Sequence, residues 1–526
     1  MARLLDYDSW RHTPSWLVIF FNNMFFGCTG FSIVLPTVWP YLRQMGATTG
    51  FLAWVVAMYS VGEGTGGWVV GQLYSRFPDY PKLLLQVGMV LGFLAAFFYS
   101  IAPVFGDSAA PFIVLAARFL SGFDNGGRQT IEQTFIGTHV PSKYQTTISS
   151  RLSSFAITGI MLGPAFGAPL QAIHFEVPGL GLPVDGNNGP GLVLCFVCAM
   201  NILATGLFFR PAACAPQPQR PQQPEQPQQQ VSGKLPEARA EELPPRPVGL
   251  FVCYLVFFSV NLSMASLETI TPVVAQRLYG WGPCLDPGTC SFDVSQTYVN
   301  VLLTGGGVLS LIMSILMSCY LGSKIFGRET LSMSLGLLVL TATNMDNIDW
   351  SGSLPAWRFV GNYLLGAFFG GLLRGPTVSL LCQIIGPHPK ASYMGMLFAI
   401  GAVPRVLGPF LLVACLELPT PLHEANYADV YEGPVPRTWL LYGSQGLLFL
   451  AALLLVWLGR DQVQPHPALQ RSRSNLGTPL LASEANSPAS VATAGAEGSW
   501  LPSTPVGMRE GIKDFARMRT LSRDSF

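Results

Sequence analysis

Long apolar stretches alternate with short polar ones along the whole chain. Apolar runs fall at about 15–42, 51–74, 83–104, 111–137, 148–173 and 190–210, then at 248–278, 294–321, 329–346, 356–385, 391–416 and 438–459. As helices, runs of about twenty residues cross roughly 30 Å of hydrocarbon. The pattern predicts an all-α membrane protein with twelve transmembrane helices, six on either side of a polar gap. The ninth run is the shortest. The segmentation reads as an N-terminal segment (1–14), a first six-helix bundle (15–210), a linker (211–247), a second bundle (248–460) and a tail (461–526).

The two bundles resemble each other in sequence. Ala117-Arg118-Phe119-Leu120-Ser121-Gly122 and onward returns 244 positions later as Gly361-Asn362-Tyr363-Leu364-Leu365-Gly366. Leu162-Gly163-Pro164 returns as Leu407-Gly408-Pro409, and Pro36 has a counterpart in Pro272. Duplicated membrane-embedded halves are the layout of many secondary transporters, whose solute site lies between the repeats.

Composition supports this. Half of the 526 residues are hydrophobic and 11% are charged, against about 25% in a soluble chain. The net charge of +1 and the lack of a basic block give no reason to expect nucleic acid as a partner; the bilayer itself is the first partner. If the N-terminus is cytoplasmic, that side collects Arg3, Arg11, Arg76, Lys82, Lys143, Arg210, Arg220, Lys234, Arg239, Arg246, Lys324, Arg328 and Lys390, and the opposite side only Arg43, Arg277, Arg358 and Arg437. The bias predicts both termini inside. The linker begins PAACAPQPQRPQQPEQPQQQ, and Pro and Gln at that density predict an extended, solvated segment. The Ser/Pro/Ala/Gly-rich tail also reads as disordered, with Arg471-Ser472-Arg473-Ser474 and Pro479-Leu480-Leu481 as candidate kinase and sorting contacts. A solvated tail without partners is the equal alternative.

Ionisable groups inside the runs are costly unless paired, neutralised or facing water. Glu63, Arg118, Asp124, Arg128, Glu132, Glu268, Arg374 and Arg405 are such groups. Asp124–Arg128 and Arg128–Glu132 are both at i,i+4, a spacing for ion pairs along one helix face, and read as a structural charge network. Arg118, Arg374 and Arg405 have no acid three or four residues away, so a protein partner must come from another helix. They are the candidate anion-attracting groups, with Glu63 and Glu268 as cross-helix partners or proton carriers. Cys284 and Cys290 share a Pro/Gly/Asp loop on the non-cytoplasmic side, where a disulfide is one option and two free thiols the other. No His/Cys/Asp/Glu spacing suggests a metal, no Walker loop is present and no catalytic constellation is legible. Neither a cofactor nor an enzymatic activity is expected.

Three motifs carry a family resemblance. Gly71-Gln72-Leu73-Tyr74-Ser75-Arg76 resembles the major facilitator superfamily loop G-x-L-a-D-r-x-G-r-[rk], with Gly71, Leu73 and Arg76 matching and Ser75 replacing the Asp. That replacement implies a weaker charge clamp at the helix ends. Arg118-x-x-x-Gly122-x-x-x-Gly126 resembles the superfamily's fourth-helix pattern. Gly159-x-x-x-Gly163-Pro164-x-x-Gly167, echoed by Gly408-Pro409, is similar to its fifth-helix G-x-x-x-G-P-x-x-G-G. Within the superfamily, Gly30-Phe31-Ser32, Trp54-Val55-Val56-Ala57, Leu267-Glu268-Thr269-Ile270-Thr271-Pro272 and Tyr393-Met394-Gly395 resemble the members linked to neuronal ceroid lipofuscinosis. That resemblance implies lysosomal or late endosomal residence and anion conduction.

The expectation is therefore a transporter moving a small, anionic solute by alternating access, with proton coupling as one drive. A chloride-type anion channel on the same scaffold and a non-transporting receptor or scaffold are the alternatives.

Overall fold

The computed structural model describes residues 13–167, 169–170, 175–177, 182–210, 244–265, 271–281, 294–349, 354–415 and 437–466. Glu268, Cys284, Cys290 and most of the linker and tail lie outside them. In the first half α1 spans Ser15–Gln44, α2 Thr49–Arg76, α3 Pro81–Ile101, α4 Ala110–His139, α5 Ser142–Gly167 and α6 Gly189–Phe208. In the second, α7 spans Pro247–Ala265, α8 Thr271–Tyr279, α9 Val294–Leu316, α10 Glu329–Asp346, α11 Ala356–Gly370, α12 Arg374–Ile385, α13 Ala391–Cys415 and α14 Thr438–Leu458. One of the twelve runs, 356–385, therefore appears as a helix pair, α11 with α12, while α7 and α8 lie in the run 248–278 on either side of residues outside the description. Between α5 and α6 lies a two-stranded antiparallel ribbon, Phe175–Val177 against Leu182–Val184.

Local chemistry sets the boundaries. The Thr48 side chain accepts from the Phe51 N–H and caps α2, while Pro81, Pro111 and Pro190 stand in first turns, where the missing N–H costs nothing. The α11–α12 break falls at Gly370-Gly371. A side chain at Gly370 would touch nothing, so no packing resists the break. Gly386, at φ +64°, ends α12 in a conformation open mainly to glycine. The fifth run begins earlier than its apolar signal: α5 starts at Ser142, not near 148. Its polar first turns, Gln145, Thr146 and Thr147, are buried by protein and never meet lipid.

Among the described residues, eight helices are long and apolar enough to cross a membrane. The helices α2, α4 and α5 are not among them, because each puts polar groups into the protein interior. α4 alone buries Arg118, Asp124, Asn125, Arg128, Gln129, Glu132 and Gln133.

Each half has two large apolar cores, and among the described residues the second half has a small third one around Met313, Met317 and Leu372. In the first half, Trp16, Phe20, Phe135 and Phe209 form one, and Ile33, Val38, Val55 and Val114 the other. In the second, Val252, Phe257, Leu381 and Phe449 build one, and Val274, Phe359 and Leu441 the other. Within the first half α2 packs on α4, α1 on α5 and α3 on both α4 and α6; the halves meet chiefly through α2 on α13 and α5 on α9 and α12.

Candidate functional site

The site begins with glycines. A Cβ at Gly122 or Gly126 of α4 would fall on the backbone carbonyls of Tyr59 and Glu63, and one at Gly62 or Gly66 of α2 on those of Phe119 and Phe123. The two helices are thus in reciprocal backbone contact, a packing that small residues four apart permit. This close approach holds Glu63 against the polar stripe of α4. The Gly122 and Gly126 half of the contact is legible in the sequence, and its Gly62-x-x-x-Gly66 partner has the same spacing.

Glu63 is the hub. Its Oε2 lies 2.8 Å from Arg405 Nη1 on α13, an ion pair across the two halves with side chains 8% and 16% exposed. Its Oε1 accepts from Gln129 Nε2 at 2.9 Å and Asn125 Nδ2 at 3.4 Å. The Gln129 Oε1 in turn accepts from Arg374 Nη2 at 3.0 Å. Arg374 opens α12 just after the glycine break, with its guanidinium 6.0 Å from the Phe257 ring. The network therefore places Arg405 and Arg374, from two helices of one half, around a carboxylate and an amide of the other. Gln129 and Asn125 were not singled out from the sequence. Their i,i+4 spacing, one position beyond the Asp124–Arg128 pair, is the signal that would have found them.

The structural charge network lies behind the hub. Arg128 Nη1 is 3.6 Å from Asp124 Oδ2, and Nη2 donates to Asn125 Oδ1 at 3.1 Å. Gly27 of α1 makes room, since a Cβ there would collide with Arg128. Glu132 is fully buried facing Asn23, and neither of its oxygens makes a hydrogen bond of ordinary geometry. Arg118 is separate from the hub. It is 3% exposed and stacks over the rings of Tyr59 and Phe31, at 4.7 and 5.7 Å.

The remaining motif residues lie at helix contacts or on the surface. Gly71 is pressed to α13, with a Cβ 2.7 Å from the Ala391 carbonyl. Ser75 Oγ lies 2.6 Å from Ser392 Oγ in the first turn of α13, so a neutral hydrogen bond stands where the resemblance placed an acid. Leu73 and Arg76 are exposed. Gly159 packs on Phe25, Gly163 on Ser32 and Gly167 on Ile33, all of α1, with Pro164 inside the same helix. Gly408 meets Ala265 of α7, 3.2 Å from a Cβ. Pro409 follows it on α13.

The Major Facilitator Superfamily sequence profile matches residues 20–409. The chain belongs to the major facilitator superfamily. A relative from Xenopus laevis, major facilitator superfamily domain-containing protein 8, is 23% identical over 444 residues, covering 74% of this chain and 83% of that protein. Among solved structures, the human organic anion transporter MFSD10 matches with a TM-score of 0.58 at 16% identity over 84% of this chain and 99% of that one. The proton:xylose symporter XylE matches at 0.57 and 14% identity over 87% and 98%. FucP in the outward conformation gives 0.55 and 14% over 84% and 98%. At these identities the structural likeness establishes the fold: twelve spans in two six-helix halves. With the family, it makes this chain a multi-pass membrane transporter and not an enzyme.

Proposed function

We propose that the chain carries a small anionic solute between the halves 15–210 and 248–460 by alternating access, and that Glu63 couples the cycle to protons. The observation that carries this reading is the interhalf pair of Glu63 and Arg405 with Arg374 beside it. With Glu63 ionised, Arg405 is neutralised by the protein. Protonation of Glu63 removes the charge that holds Arg405, leaving two guanidinium groups to receive an anion. Charge balance is in keeping with an anion: among the described residues the spans bury Arg118, Arg128 and Arg151 and partly bury Arg374 and Arg405, against buried Glu63, Asp124, Glu132 and Glu329. MFSD10 is an organic anion transporter and XylE a proton symporter, so each property is found separately on this scaffold. Glu268 is the second proposed proton carrier. We also place the protein in lysosomal or late endosomal membranes with both termini cytoplasmic, on the motif resemblance and the Lys/Arg bias.

The test is a flux screen of small anions across proteoliposomes at two pH values. Acid on the anion side is expected to stimulate uptake, and Glu63→Gln is expected to remove that stimulation. Unchanged pH dependence in Glu63→Gln would exclude Glu63 as the coupling group. Unitary currents far above about 10³ ions per second would exclude a carrier cycle, whose conformational steps take microseconds to milliseconds or longer.

A further inference from the structure

A small cavity lies inside the first half, on the far side of Asn125 and Arg128 from the interhalf pair. Its walls are α1, α3, α4 and α6, and no residue of α2 or of the second half lines it. Arg118, Asp124, Asn125 and Arg128 contribute its polar wall from α4, and Tyr99 faces it from α3. Its volume is ≈ 40 Å³, where about 10–15 Å³ suffices for one water. Such a space admits a few waters or one small ion.

The charges around the cavity do not balance. Arg128 is paired with Asp124. Arg118 makes no ion pair among the described residues, and its Nε has no hydrogen-bond partner. The two ring faces that hold the guanidinium, Tyr59 and Phe31, leave its N–H edge unsatisfied, because a ring face engages the plane of the group and not its donors. The Tyr99 hydroxyl, beside Thr37, likewise forms no hydrogen bond of ordinary geometry. Both side chains are more than nine-tenths buried. Arg118 and Tyr99 therefore line the same small space. Asp124 Oδ1 is also without a hydrogen-bond partner, and its carboxylate is paired with Arg128.

We propose that this cavity is a binding site for one small monovalent anion, a fixed counter-ion of Arg118 held inside the first half and distinct from the transported solute. Asn125 and Arg128 belong both to this wall and to the Glu63 network, so the bound ion sets the charge against which Glu63 operates.

The test is equilibrium binding of radiolabelled chloride to the purified full-length protein in detergent, at constant ionic strength with gluconate as the replacing anion. Wild type is expected to bind one chloride per chain saturably and to release it to bromide or nitrate. Arg118→Gln is expected to lose this site, and Ser121→Leu, which fills the cavity without altering a charge, to weaken it at least about tenfold. Arg374→Gln is expected to keep it. Ser121→Leu carries the test if Arg118→Gln does not yield folded protein. Absence of saturable binding in wild type overturns the proposal and leaves the cavity to water. Binding lost in Arg374→Gln but kept in Arg118→Gln or Ser121→Leu overturns it as well, by placing the ion between the halves. Neither result depends on transport, so the carrier reading stands or falls separately.

Discussion

Breaking the Glu63–Arg405 pair from either side and then from both should give strongly non-additive losses. Arg405→Gln leaves the Glu63 carboxylate, 8% exposed, with only the Gln129 and Asn125 amides as donors. Removing one partner of a buried ion pair costs about 3–5 kcal/mol, because the other charge stays buried. The two amides already solvate Glu63, which puts the expected cost near the lower end. Glu63→Gln removes the carboxylate that Arg405 pairs with, but that side chain is 16% exposed and has more room to find water, so its loss should be smaller. The double variant Glu63→Gln/Arg405→Gln removes both charges and keeps amide-sized groups at both positions. It should melt above Arg405→Gln alone, with a coupling of about 1–3 kcal/mol. Because large membrane proteins unfold irreversibly, the assay is the order of apparent melting temperatures in one detergent at one heating rate. A double variant that loses the sum of the two single losses would refute the claim that the pair is buried and coupled.

Other consequences follow from packing. Gly126→Val should prevent folding, since its side chain would occupy the space of the Glu63 backbone; a normal monodisperse elution profile would contradict the α2–α4 contact. Ser75→Asp places a carboxylate beside the first turn of α13, where a helix N-terminus favours negative charge by about 0.3–1 kcal/mol. It should raise the melting temperature and slow flux, and unchanged values of both would count against Ser75–Ser392 as a contact of the transport cycle. Truncation after residue 466 should leave stability intact. Truncation after 458 should lower it, because Val463 and His466 are buried against the second half and the His466 N–H donates to the Gln383 carbonyl; equal melting temperatures would oppose this.

Much of the fold was legible because lipid imposes a simple rule on the outward faces: apolar for about twenty residues, then a turn. The runs at 83–104 and 438–459 match α3 and α14 closely for that reason. The rule weakens where a helix faces protein. The start of α5 was misplaced because Gln145, Thr146 and Thr147 are buried and polar. The α11–α12 break was not foreseen, since a helix interruption inside an apolar run leaves the hydropathy unchanged. The site was legible in part. Arg405, Arg374 and Glu63 stand out as charges in apolar sequence, and the absence of a local acid directs attention to other helices. Which charge meets which partner is a tertiary fact. Nothing local distinguishes Arg405, paired with Glu63, from Arg118, which stacks on two rings and faces a cavity.

Alternating access requires the halves to separate at the end where α2 finishes and α13 begins, and Ser75 and Ser392 touch there at 2.6 Å. The most direct measurement is therefore flux through a Ser75→Cys/Ser392→Cys variant, in a background lacking the native cysteines, before and after oxidation. The account expects cross-linking to abolish flux of the anion found in the screen, and reduction to restore it. Undiminished flux through quantitatively cross-linked protein would contradict a carrier that opens at this seam.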